Sequence, residues 1–144
     1  MFSKACEYGI RAAIYIASKS LQEQRATLID IAEEIDSPTA FTAKILQQLV
    51  KNKVIHSIKG PHGGFFIPLI EMNEIKLVQV VIAIDGNKLF TGCGLGLKQC
   101  DENHPCPVHH QFKKIRNELE SMLRNTTIKE MAEGVGTGLS FLKQ

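Results

Sequence analysis

Residues 54–68 read VIHSIKGPHGGFFIP, and such a stretch leaves a backbone few choices. Two runs rich in β-branched and aromatic residues, Val54–Ile58 and Phe65–Ile67, predict short strands. Lys59-Gly60-Pro61-His62-Gly63-Gly64 between them predicts a sharp loop, hence a hairpin. Two short helices are predicted just upstream. Thr27 stands three residues before Asp30 at the head of the run IAEEI, close to the capping-box pattern, so one helix starts there and ends near Ile35. Asp36-Ser37-Pro38 is a turn, with Pro38 suited to the first position of the next helix. That helix, 38–52, is expected to bury Phe41, Ile45, Leu46, Leu49 and Val50. Two short helices joined by a tight turn predict a helix-turn-helix, with 38–52 as recognition helix. A glycine-tipped hairpin following at once makes it a winged helix. Gly63 and Gly64 let such a loop approach another surface closely; a plain hairpin turn is the alternative reading.

The rest of the chain frames this unit. Residues 3–19 carry Ala5, Ile10, Ala13, Ile14 and Ala17 at helical spacing, with Ser3 as cap. Residues 73–85 predict a helix burying Ile75, Val78, Val81 and Ile82. Pro107 is expected to open the longest helix, to about Asn125, where Val108, Phe112, Ile115, Leu119 and Met122 form a heptad seam suited to a twin helix in a dimer or to helix one. Thr127 caps a last short helix, and a weakly ordered tail follows. The expected architecture is mainly α with a small β-hairpin. It divides into a winged helix-turn-helix domain (1–85), a cysteine-rich loop (86–106), and a dimerisation helix with the C-terminal tail (107–144).

Charge distribution says more than the net charge of +2. From Ser37 to Ile70 there is no Asp or Glu, while Lys44, Lys51, Lys53, His56, Lys59 and His62 fall there. A solvated face is one reading and a polyanion partner the other; the location over the helix-turn-helix and wing favours DNA. No apolar run approaches the ~18 residues of a membrane span, and charged Lys4, Glu7 and Arg11 exclude a secretory signal. No membrane is expected as a partner, and a cytoplasmic location is. There, clustered cysteines point to metal binding or redox chemistry rather than a disulfide framework.

Such a cluster follows the wing: Cys93-x6-Cys100-x5-Cys106-x2-His109. Thiolates and imidazole favour zinc, copper(I) or iron–sulfur clusters over hard cations. Zinc sites usually show paired C-x2–4-C spacing, and neither gap here fits. Gly92, Gly94 and Gly96 let the loop wrap a cluster and leave amides free for sulfur. Cys6, within the first helix among small and apolar neighbours, reads as a buried structural thiol. His110 faces away from His109 around the helix, and His104 is a weaker substitute ligand.

Over residues 1–130 the chain resembles the IscR- and NsrR-type winged-helix regulators of bacteria. Carrying the resemblance are Lys59-Gly60-Pro61-His62-Gly63-Gly64-Phe65, close to that family's wing, and the three-cysteine loop downstream. The resemblance implies homodimers on palindromic promoter sites of double-stranded DNA, with a cluster whose state alters DNA affinity in response to redox state, nitric oxide or iron–sulfur supply. The cluster, 2Fe–2S with 4Fe–4S as alternative, would be held by Cys93, Cys100 and Cys106. Its fourth ligand would be His109 as in IscR-type members, or Glu7 from the first helix of the partner as in NsrR-type members. Thr39, Thr42 and Lys44 are the expected DNA contacts of the recognition helix, with Lys51, Lys59 and the Gly63 and Gly64 amides on the backbone. Where the family's wing has arginine this chain has Lys59, which keeps the charge but loses the two-pronged match to guanine.

Two rivals stand beside this reading: a zinc- or thiol-switched repressor of the same fold, and an iron–sulfur electron carrier. The carrier leaves the acid-free stretch unexplained. No nucleophile motif points to an enzyme.

Overall fold

The computed structural model describes residues 1–143. Its elements, in chain order, are α1 (Lys4–Leu21), α2 (Leu28–Glu34), α3 (Thr39–Lys51), β1 (His56–Ile58), β2 (Gly64–Phe66), a 3-10 turn (Leu69–Glu71), α4 (Leu77–Asp85), α5 (Lys88–Thr91), α6 (His109–Asn125) and α7 (Ile128–Gly136). The architecture is the expected one, mainly helical with one two-stranded antiparallel hairpin.

Local signals set most boundaries. Ser3 caps α1 by accepting from the Cys6 amide at 3.0 Å. Thr27 and Asp30 form a reciprocal box at the head of α2: the Asp30 amide donates to Thr27 Oγ1 at 3.2 Å, and the Thr27 amide to the Asp30 carboxylate at 3.4 Å. Thr127 accepts from the Glu130 amide at 3.0 Å. Caps of this kind contribute about 1 kcal/mol each. Asp36 turns the chain out of α2 with φ 51°, the left-handed conformation that ends helices. Pro38 occupies the cap of α3 rather than its first turn, so α3 begins one residue later than expected.

The main core joins α1, α2, α3, α4 and α7: Ile16, Ile31, Ile45, Leu46, Leu49 and Ile128 are fully buried in it. α7 therefore packs into the core of the winged helix rather than standing apart. Its placement comes from a long-range pairing, in which the Leu77 amide donates to the Thr126 carbonyl and the Ile128 amide to the Ile75 carbonyl, each at 2.9 Å. That pairing uses the backbone of residues 75–77, and α4 starts at Leu77 instead of 73. Ile75, Val78 and Val81 are buried as expected; Ile82 is not, and Leu77 and Val80 take inward places.

The hairpin pairs His56 with Phe66, Ser57 with Phe65 and Ile58 with Gly64. Val54 and Ile55, expected within the first strand, instead lead into it as buried core residues. The segment before α2 fastens the hairpin. Ala26 and Phe65 exchange backbone bonds at 3.0 and 2.8 Å, the Arg25 guanidinium lies over the Phe66 ring, and Arg25 Nη1 donates to the His62 carbonyl at 2.8 Å. Gly64, at φ 143°, brings its backbone so close to Ala26 that a Cβ would lie 2.9 Å from that carbonyl. No helix among the described residues is long and apolar enough to cross a membrane.

Candidate DNA-reading face and cysteine site

α3 buries Thr42, Ile45, Leu46 and Leu49, so its opposite side carries Thr39, Phe41, Lys44, Gln47, Gln48 and Lys51 to solvent. Two expectations change places here. Thr42 does not reach the surface: it is fully buried, and its hydroxyl donates to the Pro38 carbonyl at 2.9 Å. Phe41 is 37% exposed and meets the edge of Tyr8 on α1, ring centroids 5.8 Å apart. Gln47 and Gln48, overlooked in the sequence, lie one turn beyond Lys44 on the exposed side. Their amide groups are suited to paired donation and acceptance at adenine. Their position three and four residues after Lys44 was the available signal.

Lys51 and Lys59 are exposed on either side of a cleft between α3 and the hairpin, floored by Val50, Ile58 and Phe65. The Gly63 amide is already bonded to the Gly60 carbonyl at 3.0 Å, so it closes the turn rather than offering a free donor. Gly63 and Gly64 are thus glycines because the hairpin requires them. A Cβ at Gly63 would collide with the Ile58 carbonyl.

The cysteine loop lies against α6. α5 interrupts it near its start. Val108 is the cap of α6 and His109 its first residue, so Pro107 precedes the helix instead of opening it. His109 is buried, 3% exposed. One ring nitrogen, Nδ1, lies 3.4 Å from Cys100 Sγ; the other, Nε2, is buried with no hydrogen-bond partner. Cys93 receives the Leu95 amide at 3.4 Å. The Leu95 and Leu97 amides, helped by the Cys106 side chain, hold its thiol below the ordinary value. The structure thus brings Cys100 against His109, while Cys93 is held by loop amides. Among the described residues no three His, Cys, Asp or Glu side chains are gathered closely enough to enclose a metal ion.

Glu7 is exposed on α1 and pairs with Lys4 at 3.5 Å within its own helix. His104 is exposed and pairs with Asp101 at 3.0 Å. His110 is exposed, with its ring edge-on to His109. Cys6 is fully buried, as expected, and burial together with the Asp85 carboxylate pushes its thiol up to about 12. On α6 the heptad seam is half open. Leu123 and the partly buried Leu119 pack toward Cys6, Val78 and Val81, while Ile115 and Met122 are 56% and 50% exposed.

Known proteins share both sequence and fold. The HTH-type transcriptional regulator IscR of Pectobacterium atrosepticum is 27% identical over 124 residues, 86% of this chain and 74% of its own. An HTH-type transcriptional regulator of Aquifex aeolicus is 28% identical over 133 residues, 91% and 90% of the two chains. In structure, T. potens IscR superposes with a TM-score of 0.74 at 18% identity, covering 98% of this chain and 92% of that one. CymR, the global cysteine regulator of B. subtilis, superposes at 0.73 with 19% identity, covering 92% and 96%. These structural similarities show the winged-helix fold. Residues 2–134 match the Rrf2 family, described as iron-dependent transcriptional regulators. With almost the whole chain inside that match, this protein belongs to the Rrf2 family and is a transcriptional regulator rather than an enzyme.

Proposed function

We propose that this protein binds palindromic promoter DNA as a homodimer, with an affinity set by an iron–sulfur cluster held by Cys93, Cys100, Cys106 and His109. The observation that carries the reading is His109: a buried imidazole at the first turn of α6, one nitrogen turned to Cys100 and the other without a partner. A buried polar atom left unpaired costs about 1–3 kcal/mol, and a ligand role would account for it. The donor set, three thiols and one imidazole, suits iron–sulfur chemistry. When bound, a cluster would supply a redox-active centre sensitive to oxygen, nitric oxide or the supply of iron and sulfide; 2Fe–2S fits a ligand set containing histidine, and 4Fe–4S is the alternative.

The chain's own residues would do the rest. The Leu95 and Leu97 amides stabilise sulfur charge at Cys93. His109 and the loop lie against α6, whose exposed Ile115 and Met122 are suited to pairing with a second copy. Thr39, Lys44, Gln47 and Gln48 would face the major groove, and Lys51 and Lys59, on either side of the cleft, the sugar-phosphate backbone, with Gly63 and Gly64 keeping the wing tip compact. Glu7 of a partner subunit is the alternative fourth ligand. Iron and acid-labile sulfide are to be measured on protein purified without oxygen. Matched iron and sulfide, lost in His109→Ala but kept in Glu7→Ala, is the expected result. Colourless protein after anaerobic reconstitution would contradict the cluster.

A second reading is favoured by one observation, the Cys93 sulfur accepting the Leu95 amide at 3.4 Å in an open loop, which holds its thiol low. A thiol switch between Cys93 and another cysteine of the loop, which would need an added two-electron oxidant, fits the likeness to a cysteine regulator. Intact mass after mild peroxide treatment separates the two. Loss of two hydrogens from metal-free protein, with DNA affinity changed, supports the switch; no change opposes it.

A further inference from the structure

Arg116 lies two turns beyond His109 on α6, on the side that meets the cysteine loop. Its guanidinium reaches two separate points of that loop. Nη1 donates to the Gly92 carbonyl, next to Cys93, and Nη2 donates to Cys100 Sγ at 3.4 Å. Nε is buried and bonded to nothing among the described residues. Three neighbours on α6 reinforce the contact. His109 meets Cys100 at 3.4 Å; Lys113 pairs with Glu102; the Phe112 ring fills the space above Gly94, where a Cβ would lie 2.5 Å from it.

We propose that Arg116 is a positioning residue for the cysteine site, strapping the loop to α6 and keeping a positive charge against Cys100 sulfur. A planar guanidinium suits this because its fixed fork serves two acceptors at once; a lysine ammonium keeps the charge without the fork. A charged donor strengthens a hydrogen bond relative to a neutral one, which offsets the weakness of sulfur as an acceptor. In a loaded site, such bonds to ligand sulfur raise the reduction potential and hold the ligand in place. The strap requires no cluster; the effect on potential rests on the iron–sulfur reading above.

Two variants separate these parts. In metal-free protein, Arg116→Gln should speed amide hydrogen exchange of residues 92–104 about 10-fold or more, the scale expected from losing a charge-assisted hydrogen bond. Exchange in α1–α3 should not change. Arg116→Lys should give an intermediate rate, and it serves for the exchange test should Arg116→Gln fail to fold, with Arg116→Met then replacing it in the potential test. Wild-type exchange rates in both variants would overturn the strap. In anaerobically reconstituted protein, Arg116→Gln should lower the midpoint potential and lose iron to a chelator about 10-fold faster, while Arg116→Lys keeps a potential near wild type. Equal potentials in all three proteins would overturn the electrostatic role. If the wild type takes up no iron either, the cluster reading fails, and hydrogen exchange still decides the strap.

Discussion

Cys6 and Cys93 share a functional group and differ in everything around it. Cys93 accepts from the Leu95 amide in an open loop and is held below the ordinary thiol value; Cys6 is fully buried beside Asp85 and pushed up to about 12. Because only thiolate reacts, a thiol-specific alkylating agent at neutral pH should label Cys93 in folded metal-free protein and spare Cys6 until the chain unfolds. Peptide mapping after a brief pulse checks this. The same contrast predicts an alkaline limit. The folded chain keeps the Cys6 proton that an unfolded chain releases near its ordinary value of 9.0. The stabilisation is therefore complete below that pH and lost as pH rises above it, by up to about 1.4 kcal/mol per unit. Denaturant titrations from pH 8 to 11 should show the decline, and Cys6→Ala should flatten it. An equally steep decline in that variant would place the alkaline sensitivity elsewhere.

At the scale of elements, the wing offers the cleanest test of a DNA contact. Lys59 is exposed at the hairpin tip beside the cleft that α3 borders. Lys59→Ala should weaken binding similarly for all sequences and reduce the slope of log affinity against log salt by about 1. An unchanged slope would count against a wing contact. The helix-turn-helix and wing were readable from sequence because local chemistry fixes them: the Thr27–Asp30 box, the Asp36 turn, and the glycines that hairpin pairing demands. What escaped depends on contacts distant in sequence. Whether Phe41 or Thr42 faces inward is a one-residue question of register, decided by how α3 sits against Tyr8 of α1. The start of α4 is fixed by pairing with residues 126–128. Arg116 gave no signal because its partners lie 16 and 24 positions away. The cysteine spacing, by contrast, pointed to the loop and to His109, whose burial and pairing with Cys100 appear only in three dimensions.

On the scale of the whole molecule, the residues that touch the cysteine loop and the exposed apolar residues of α6 share one helix. His109, Phe112 and Arg116 touch the loop, while Ile115 and Met122 point to solvent. In the proposed homodimer, a change in the loop would be positioned to alter how the two copies pair, and so the spacing of their reading heads. Ile115→Asp should convert a dimer into a monomer in sedimentation experiments. It should leave the folded core intact, since Ile115 is 56% exposed, and should weaken palindromic DNA far more than a single half-site. A monomeric wild type would contradict this arrangement. The most direct test of cluster control is the affinity of one anaerobic preparation for a duplex that the protein itself selects from a randomised pool. It should be measured before and after chelation of iron, at fixed salt. Cluster control predicts dissociation constants that differ about 10-fold or more between the two forms, a coupling of about 1.4 kcal/mol. Equal affinities would contradict it.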